Sequence, residues 1–160
     1  MPNVYKTISD AEYQEILNAV PLIAILIGSS DGNFDSMEKD WAKKIVHIRS
    51  FAHDIDLKPI YKDLDVDFES KLLEIYKNLP KDPSTRNSAI SESLSKLNQI
   101  LPKLKLKIAS GIYEGYIDFA EQVAKASGGF LRMLSVSAEE SEWIGLPMID
   151  PIFYVDEEEE

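Results

Sequence analysis

The sequence predicts an all-α fold, a single-domain bundle of about six to seven helices. Three observations support this prediction. Apolar residues recur at intervals of three and four along most of the chain, which is the spacing of one helix face. No useful length of sequence alternates apolar and polar residues with period two, as a strand would. The 160 residues suit one domain that buries roughly two-thirds of its unfolded surface.

The first predicted helix begins at a capping box, in which Ser9 is the N-cap and Glu12 occupies the third helical position. Apolar residues then follow at helical spacing from Tyr13 onward, and the Asp-Gly pair at 31–32 is expected to end the helix. Pro21 lies inside this segment and lacks a backbone N–H. We therefore expect a kink there, or a break into two pieces.

The second predicted helix covers about residues 36–53 and begins at another capping box, formed by Asp35 and Glu38. Large apolar side chains follow along one stripe, which we expect to face the core. Both tryptophans of the chain, Trp41 on this stripe and Trp143 near the C-terminus, are predicted to be core anchors. The stripe consists of Met37, Trp41, Ile45, Ile48 and Ala52. His47 neighbours this stripe and is predicted to be partly buried. The polar, acidic segment 53–67, which contains Pro59, is predicted as a connection.

A third helix is predicted over about residues 67–79, and its inward positions are Phe68, Leu72, Ile75 and Leu79. Ser84 is expected to cap a fourth helix, and Pro102 to divide it from a fifth. The inward positions of these last two helices are Ile90, Leu94, Leu97, Leu101, Leu104, Ile108, Ile112, Tyr116, Phe119 and Val123.

The fifth helix is predicted to stop at Ser127-Gly128-Gly129, and a last helix to begin near Ser137 and end near Pro147. Residues 146–155 are apolar, contain two prolines, and are predicted to form an extended strap across the bundle. The domain thus spans residues 1–155. Residues 156–160 are a block of five acids, which predicts a disordered tail.

The composition favours some partners and disfavours others. The net charge is −11, and −6 remains when the five acids of the tail are left out. Such a surface repels phosphate backbones, so no nucleic acid partner is expected, while cations and basic protein surfaces are favoured. The chain has no cysteine, and no apolar run approaches the ~20 residues that span a bilayer. We predict a cytoplasmic protein with a protein partner, which associates with membranes only through that partner.

Acidic residues are concentrated in the turn between the first two helices. Asp31, Asp35 and Glu38 lie within eight residues of one another, and clustered carboxylates of this kind can surround a hard cation. Oxygen ligands would favour Ca²⁺, Mg²⁺ or Mn²⁺, and zinc would be unusual without His or Cys nearby. An EF-hand loop is disfavoured, because its sixth and twelfth positions would be Ser36 and Ala42.

A simpler interpretation of the same acids needs no metal. Asp35 as an N-cap and Glu38 as its reciprocal partner would satisfy free amides of the first helical turn, and Asp31 before Gly32 is ordinary turn chemistry. The sequence leaves this alternative and the cation site open.

A weak internal similarity connects the two halves of the chain. Asp35, Glu38 and Trp41 stand at offsets zero, three and six, and so do the residues of a second set, Ser137, Glu140 and Trp143. One interpretation is two unrelated helices that share a capping box. The other is a pseudo-two-fold arrangement, in which the acids of both turns face each other at one end of the bundle.

Residues 22–48, and more faintly 119–144, resemble the TerB-like family associated with tellurite resistance. The resemblance consists of an Ala-, Ile- and Leu-rich helix, an Asp-Gly turn and a capped, acid-rich helix. It implies an all-helical, two-fold similar domain that acts in stress responses as a metal-binding or scaffold module. The family's acidic metal positions correspond here to Asp31, Asp35, Glu38, Glu140 and Glu139.

The function predicted from these observations is that of a non-enzymatic TerB-like module, a scaffold or sensor in a stress pathway that binds a divalent cation through the clustered acids. The alternative is a helical protein–protein interaction module without a metal site. A metal-dependent hydrolase built on the same carboxylates is the weakest of the three hypotheses, because it also needs a cleft, a bound water and a general base.

Overall fold

The computed structural model describes residues 2–29, 36–126 and 143–155. Across these residues the chain forms helices and no β-strand, which confirms the predicted all-α class. The helices are α1 Asp10–Gly28, α2 Ser36–Arg49, α3 Lys58–Asp65, α4 Phe68–Asn78, α5 Pro83–Ser95, α6 Leu97–Ile100 and α7 Leu106–Ala126.

Helix α1 is the central helix of the bundle. Its N-terminus carries the predicted capping box, in which the Glu12 amide donates to the Ser9 hydroxyl at 3.1 Å and the Ser9 amide donates to the Glu12 carboxylate at 3.0 Å. Every residue from 19 to 29 is buried, because α2 to α7 all pack around this helix. The Tyr116 hydroxyl of α7 also donates to the Ile16 carbonyl at 2.8 Å.

Pro21 does not divide α1, contrary to one of the two predicted outcomes. The helix runs unbroken from Asp10 to Gly28, and packing on all sides of its C-terminal half compensates the missing proline N–H. Within the described residues, α1 is also the one helix long and apolar enough to cross a membrane by length and composition, although its sequence lacks a long uninterrupted apolar run. Most of it is buried in the bundle, as in the core helix of a folded domain.

The segment predicted as a connection, 53–67, contains helix α3, so this prediction was wrong. Pro59 lies in the first turn of α3, where its missing N–H costs nothing and its fixed φ favours a helix. Ile60, Tyr61 and Leu64 are buried against α1 and α2. The acidic residues between them concealed this short amphipathic pattern.

The later helices follow the predicted pattern closely. Phe68 and Leu72 of the third predicted helix are buried, whereas Ile75 and Leu79 are partly buried and pack against the core. All ten inward positions predicted for the fourth and fifth helices are buried. The cap of α5 is Asp82 and not Ser84: its carboxylate accepts from the Thr85 amide at 3.0 Å, and Pro83 begins the helix. The predicted stop at 127–129 lies outside the described residues.

The C-terminal segment packs on the bundle through Leu146 and Ile149, both fully buried. The Asn98 side chain forms two hydrogen bonds with this segment: its amide donates to the Met148 carbonyl at 2.9 Å, and its oxygen accepts from the Asp150 amide at 2.8 Å. Residues 147–149, within the predicted extended strap, form turns, and residues 151–155 have no helical or strand structure and expose Phe153. The acidic tail 156–160 and the helix predicted to begin at Ser137 fall outside the described part.

Candidate functional site

Most of the predicted metal ligands lie outside the described residues: Asp31, Asp35, Glu139 and Glu140. Glu38 is described, and it is buried in the first turn of α2 with only 1 % of its surface exposed. Among the described residues, no group of three or more acidic or histidine side chains is arranged to hold a metal ion.

Helix α2 is rotated relative to the sequence prediction. Its buried face carries Glu38, Ala42, Ile45, Val46 and Arg49. At 100° per residue the centre of this face lies ~80° from that of the predicted stripe. The small side chain of Ala42 permits close packing of this face against the bundle, and Arg49 forms hydrogen bonds with buried polar groups. The sequence prediction ranked positions by hydrophobicity and therefore chose the wrong face.

Apart from Ile45, which is buried, the predicted core stripe lies on the exposed side of α2, which we call the outer face of α2. Its large apolar residues expose 68 % (Met37), 41 % (Trp41) and 44 % (Ile48) of their surface, and Phe51 in the following turn exposes 59 %. Trp41 is thus not a core anchor, whereas Trp143 packs against the core. His47, predicted to be partly buried, is exposed and pairs with Asp65 at 2.9 Å.

Arg49, at the end of α2, is a buried cation with three hydrogen bonds. One guanidinium nitrogen donates to the Tyr61 hydroxyl at 2.8 Å and to the Gly115 carbonyl at 3.0 Å, and the other donates to the Asp118 carboxylate at 2.9 Å. The guanidinium also lies over the Tyr61 and Phe119 rings. Arg49 therefore joins α2, α3 and α7 at one point.

His53 lies beside this network, with its ring edge-on to Tyr61 at a centroid distance of 5.2 Å. Its Nε2 atom is buried and has no hydrogen-bond partner among the residues that the structure describes. Burial, followed by the nearby positive charge of Arg49, lowers the pKa of His53. The imidazole is therefore held in its neutral form more strongly than a solvated histidine.

A groove runs along the seam between α2 and α7, which we call the α2–α7 groove. It consists of three cavities that share lining residues. The apolar end, of about 320 Å³, lies between Met37, Trp41 and Ala126. The middle, of about 280 Å³, is lined by Ile48 and Ala52, and it shares Trp41 with the apolar end.

The third cavity, of about 440 Å³, is the polar end of the α2–α7 groove and shares Arg49, His53 and Asp118 with the middle. Its walls come from the loop before α3, the first half of α7 and the C-terminal Tyr154. The charged residues of this end are Arg49, Lys107, Asp54, Asp56, Glu114 and Asp118, so acids outnumber bases by two. By contrast, the further charged residues of the other two cavities are both bases: Lys44 lines the middle and Lys125 lines the apolar end.

Two glycines of α7 explain why the neighbouring elements come so close at the polar end. A Cβ atom on Gly111 would lie 3.1 Å from Leu57 Cδ1, and one on Gly115 would lie 3.4 Å from the Tyr61 hydroxyl. Leu57 packs against Gly111, and both glycines line the groove.

Sequence reasoning missed Arg49, Tyr61 and Asp118. One signal was present, since Arg49 stands seven residues after Ala42 and therefore on the same helical face. The partners of Arg49 come from elements 12 to 69 residues away in sequence, so no local pattern connected them to it.

Comparison with known proteins found no match for this chain among family models, curated proteins or solved structures.

Proposed function

We propose that this protein is a non-enzymatic helical interaction module whose docking surface is the α2–α7 groove with the outer face of α2. The observation that carries the proposal is the exposure of the large apolar side chains of α2, led by Met37 and Trp41, beside an open groove. Exposed apolar surface is costly in water, and where it is contiguous it commonly marks a protein interface.

The size of this surface supports the proposal. With about 200 Å² of accessible surface for each large side chain, the exposed fractions of Met37, Trp41, Ile48 and Phe51 amount to roughly 400 Å² of apolar area. A standard interface buries about 800 Å² on each partner, of which a little over half is apolar. The outer face of α2 thus supplies about the apolar area that one such interface needs.

Selection of peptides from a displayed random library would test the docking surface. The protein is immobilised sparsely, and binders to the Trp41→Ser/Ile48→Ser variant are removed by counter-selection. We expect peptides with several apolar residues that bind the wild type and not the variant. The matched control is Leu73→Ser, which changes an equally exposed leucine on α4. The proposal fails if no peptide is enriched, or if every enriched peptide binds the groove variant equally well.

A second candidate is the cation-dependent, TerB-like scaffold or sensor in a stress pathway. The observation that favours it is the burial of Glu38 at the start of α2, directly after the acidic turn. A carboxylate placed there and its acidic neighbours in sequence would gain stability from a bound divalent cation. The cytoplasmic location and the stress-related role stay predictions from the sequence.

A further inference from the structure

We infer that the partner which covers the α2–α7 groove is a second copy of this chain, bound across a two-fold axis. This inference rests on the proposed function, and it identifies the partner of that same surface. In a two-fold dimer the same patch serves both protomers, so the patch must complement itself in shape and charge. The charges along the groove meet this requirement.

The outer stripe of α7 changes sign along its length. Glu114, Asp118, Gln122 and Lys125 are spaced four, four and three residues apart, which places them on one helical face beside the groove. Glu114 and Lys125, at the two ends, are about 16 Å apart along the helix axis by its rise of 1.5 Å per residue. Lys107, seven residues before Glu114, lies on the same face at the start of α7, so the stripe is basic at both ends and acidic at Glu114 and Asp118.

The α2 side of the groove also carries charges of both signs. Lys44 lies over the Trp41 ring, with its ammonium nitrogen 5.4 Å from the centroid, whereas Asp54 and Asp56 line the polar end. Helices α2 and α7 run antiparallel, because Met37 and Trp41 lie beside Ala126 while Arg49 reaches Gly115. The polar end is therefore net acidic, because its four acids outnumber Arg49 and Lys107, whereas Lys44 and Lys125 lie toward the opposite end.

A two-fold axis through the middle cavity brings unlike charges together. The axis reverses the direction of the partner's groove, so that Lys125 of each protomer lies near Glu114 of the other protomer. A parallel arrangement would place like charges opposite each other and is therefore disfavoured. Trp41 and Ile48 of the two protomers would form the apolar centre, and α2 and α7 of both copies would form a four-helix contact.

Sedimentation velocity of the full chain, from micromolar to submillimolar concentration, tests the inference. We expect a species of twice the 18.1 kDa chain mass, and we expect Trp41→Ala to shift it to the monomer. Leu73→Ala on α4 is the matched control and should leave the dimer unchanged. Far-UV circular dichroism of each variant establishes that it is folded, because these side chains lie on the surface and are not needed for the core.

A charge-reversal experiment tests the two-fold arrangement itself. Lys125→Glu alone and Glu114→Lys alone each place like charges at both ends of the interface, and each should weaken the dimer about tenfold or more. A mixture of the two variants restores unlike charges at both ends, and we expect it to dimerise as tightly as the wild type. Lys77→Glu, an exposed change on α4, should have no effect.

The outcomes separate this inference from the proposed function. A chain that stays monomeric at submillimolar concentration, yet still selects peptides that depend on Trp41, refutes the second copy alone. A dimer that neither Trp41→Ala nor the charge reversals weaken also overturns the inference, since its interface would lie elsewhere. Failure of the peptide selection together with a persistent monomer refutes both.

Discussion

Arg49 and Asp118 form an ion pair at 2.9 Å in which the two partners have very different environments. The arginine side chain is 9 % exposed, whereas the aspartate side chain is 58 % exposed. If the pair is broken, water solvates the exposed carboxylate but does not reach the buried guanidinium or its other acceptors. Loss of the arginine should therefore lower the free energy of unfolding more than loss of the aspartate.

Removal of the Arg49 guanidinium is the first prediction. Arg49→Met keeps the apolar stem but leaves the buried Tyr61 hydroxyl without its donor and the Gly115 carbonyl with its helical hydrogen bond alone. We expect a loss of about 2–3 kcal/mol in the free energy of unfolding, because an unsatisfied buried group costs about 1–3 kcal/mol and a hydrogen bond from a charged donor is lost as well. Urea denaturation measures this value. Asp118→Asn is the control and should cost less than about 1 kcal/mol, as for exposed ion pairs. Equal losses would contradict this asymmetry.

The orientation of α2 gives the second prediction. Ala42 is fully buried and Trp41 exposes 41 % of its surface, although the two residues are adjacent in sequence. We expect Ala42→Leu to lower stability by about 1–3 kcal/mol through overpacking. Trp41→Ala should cost about 1 kcal/mol or less, as for surface positions. Thermal unfolding of both variants ranks them, and a reversed ranking would show that α2 presents the stripe predicted from the sequence to the core.

The glycines of α7 give the third prediction. A Cβ on Gly115 would make contacts of 3.4 Å with Tyr61 and 3.7 Å with Arg49, both close to ordinary packing distances. Gly115→Ala should therefore gain about 0.5–1 kcal/mol, because alanine favours the helix interior over glycine by that amount. Gly111→Ala should gain less, since its Cβ would press on Leu57 at 3.1 Å. Urea midpoints check the order, and a loss at Gly115 would show that this approach is tighter than described.

The fold was largely predictable from the sequence because long apolar periodicities determine it. The capping box at Ser9 and the inward positions of α7 are local patterns, and both are present in the structure. The rotation of α2 was not predictable in this way. Burial of Ala42 and Arg49 depends on the shape and polar groups of α3 and α7, which a pattern along one helix does not contain.

The candidate site was less predictable than the fold. The prediction followed clustered acids near Glu38, whereas the described groove arises where α2, α7 and the loop before α3 meet. Its apolar residues were recognised, but they were assigned to the core. A hydrophobic stripe marks a buried face only when the rest of the chain covers it, and on α2 the described residues leave the stripe open.

The pH dependence of stability is the fourth prediction. Burial and Arg49 lower the pKa of His53 in the folded state, so on acidification the unfolded chain takes up a proton at this residue first. The contribution of His53 to stability should therefore be constant above the unfolded pKa of about 6.5 and fall as the pH drops from there toward the folded pKa. His53→Gln should remove this part of the slope in urea denaturation. An unchanged slope would mean that other groups cause the acid sensitivity.

Addition of divalent cations is the fifth prediction, and it tests the second candidate function. If the acidic turn before Glu38 holds a cation, Ca²⁺, Mg²⁺ or Mn²⁺ at 100 times its dissociation constant should add ~2.7 kcal/mol to the stability of chelator-treated protein. For a domain of this size that corresponds to several degrees in the unfolding temperature. The Asp31→Asn/Glu38→Gln variant should lose the shift, and Asp67→Asn, at the start of α4, should keep it. If none of these ions, nor Zn²⁺, shifts the unfolding temperature of the wild type, the acids serve as helix caps, and the interaction module alone remains.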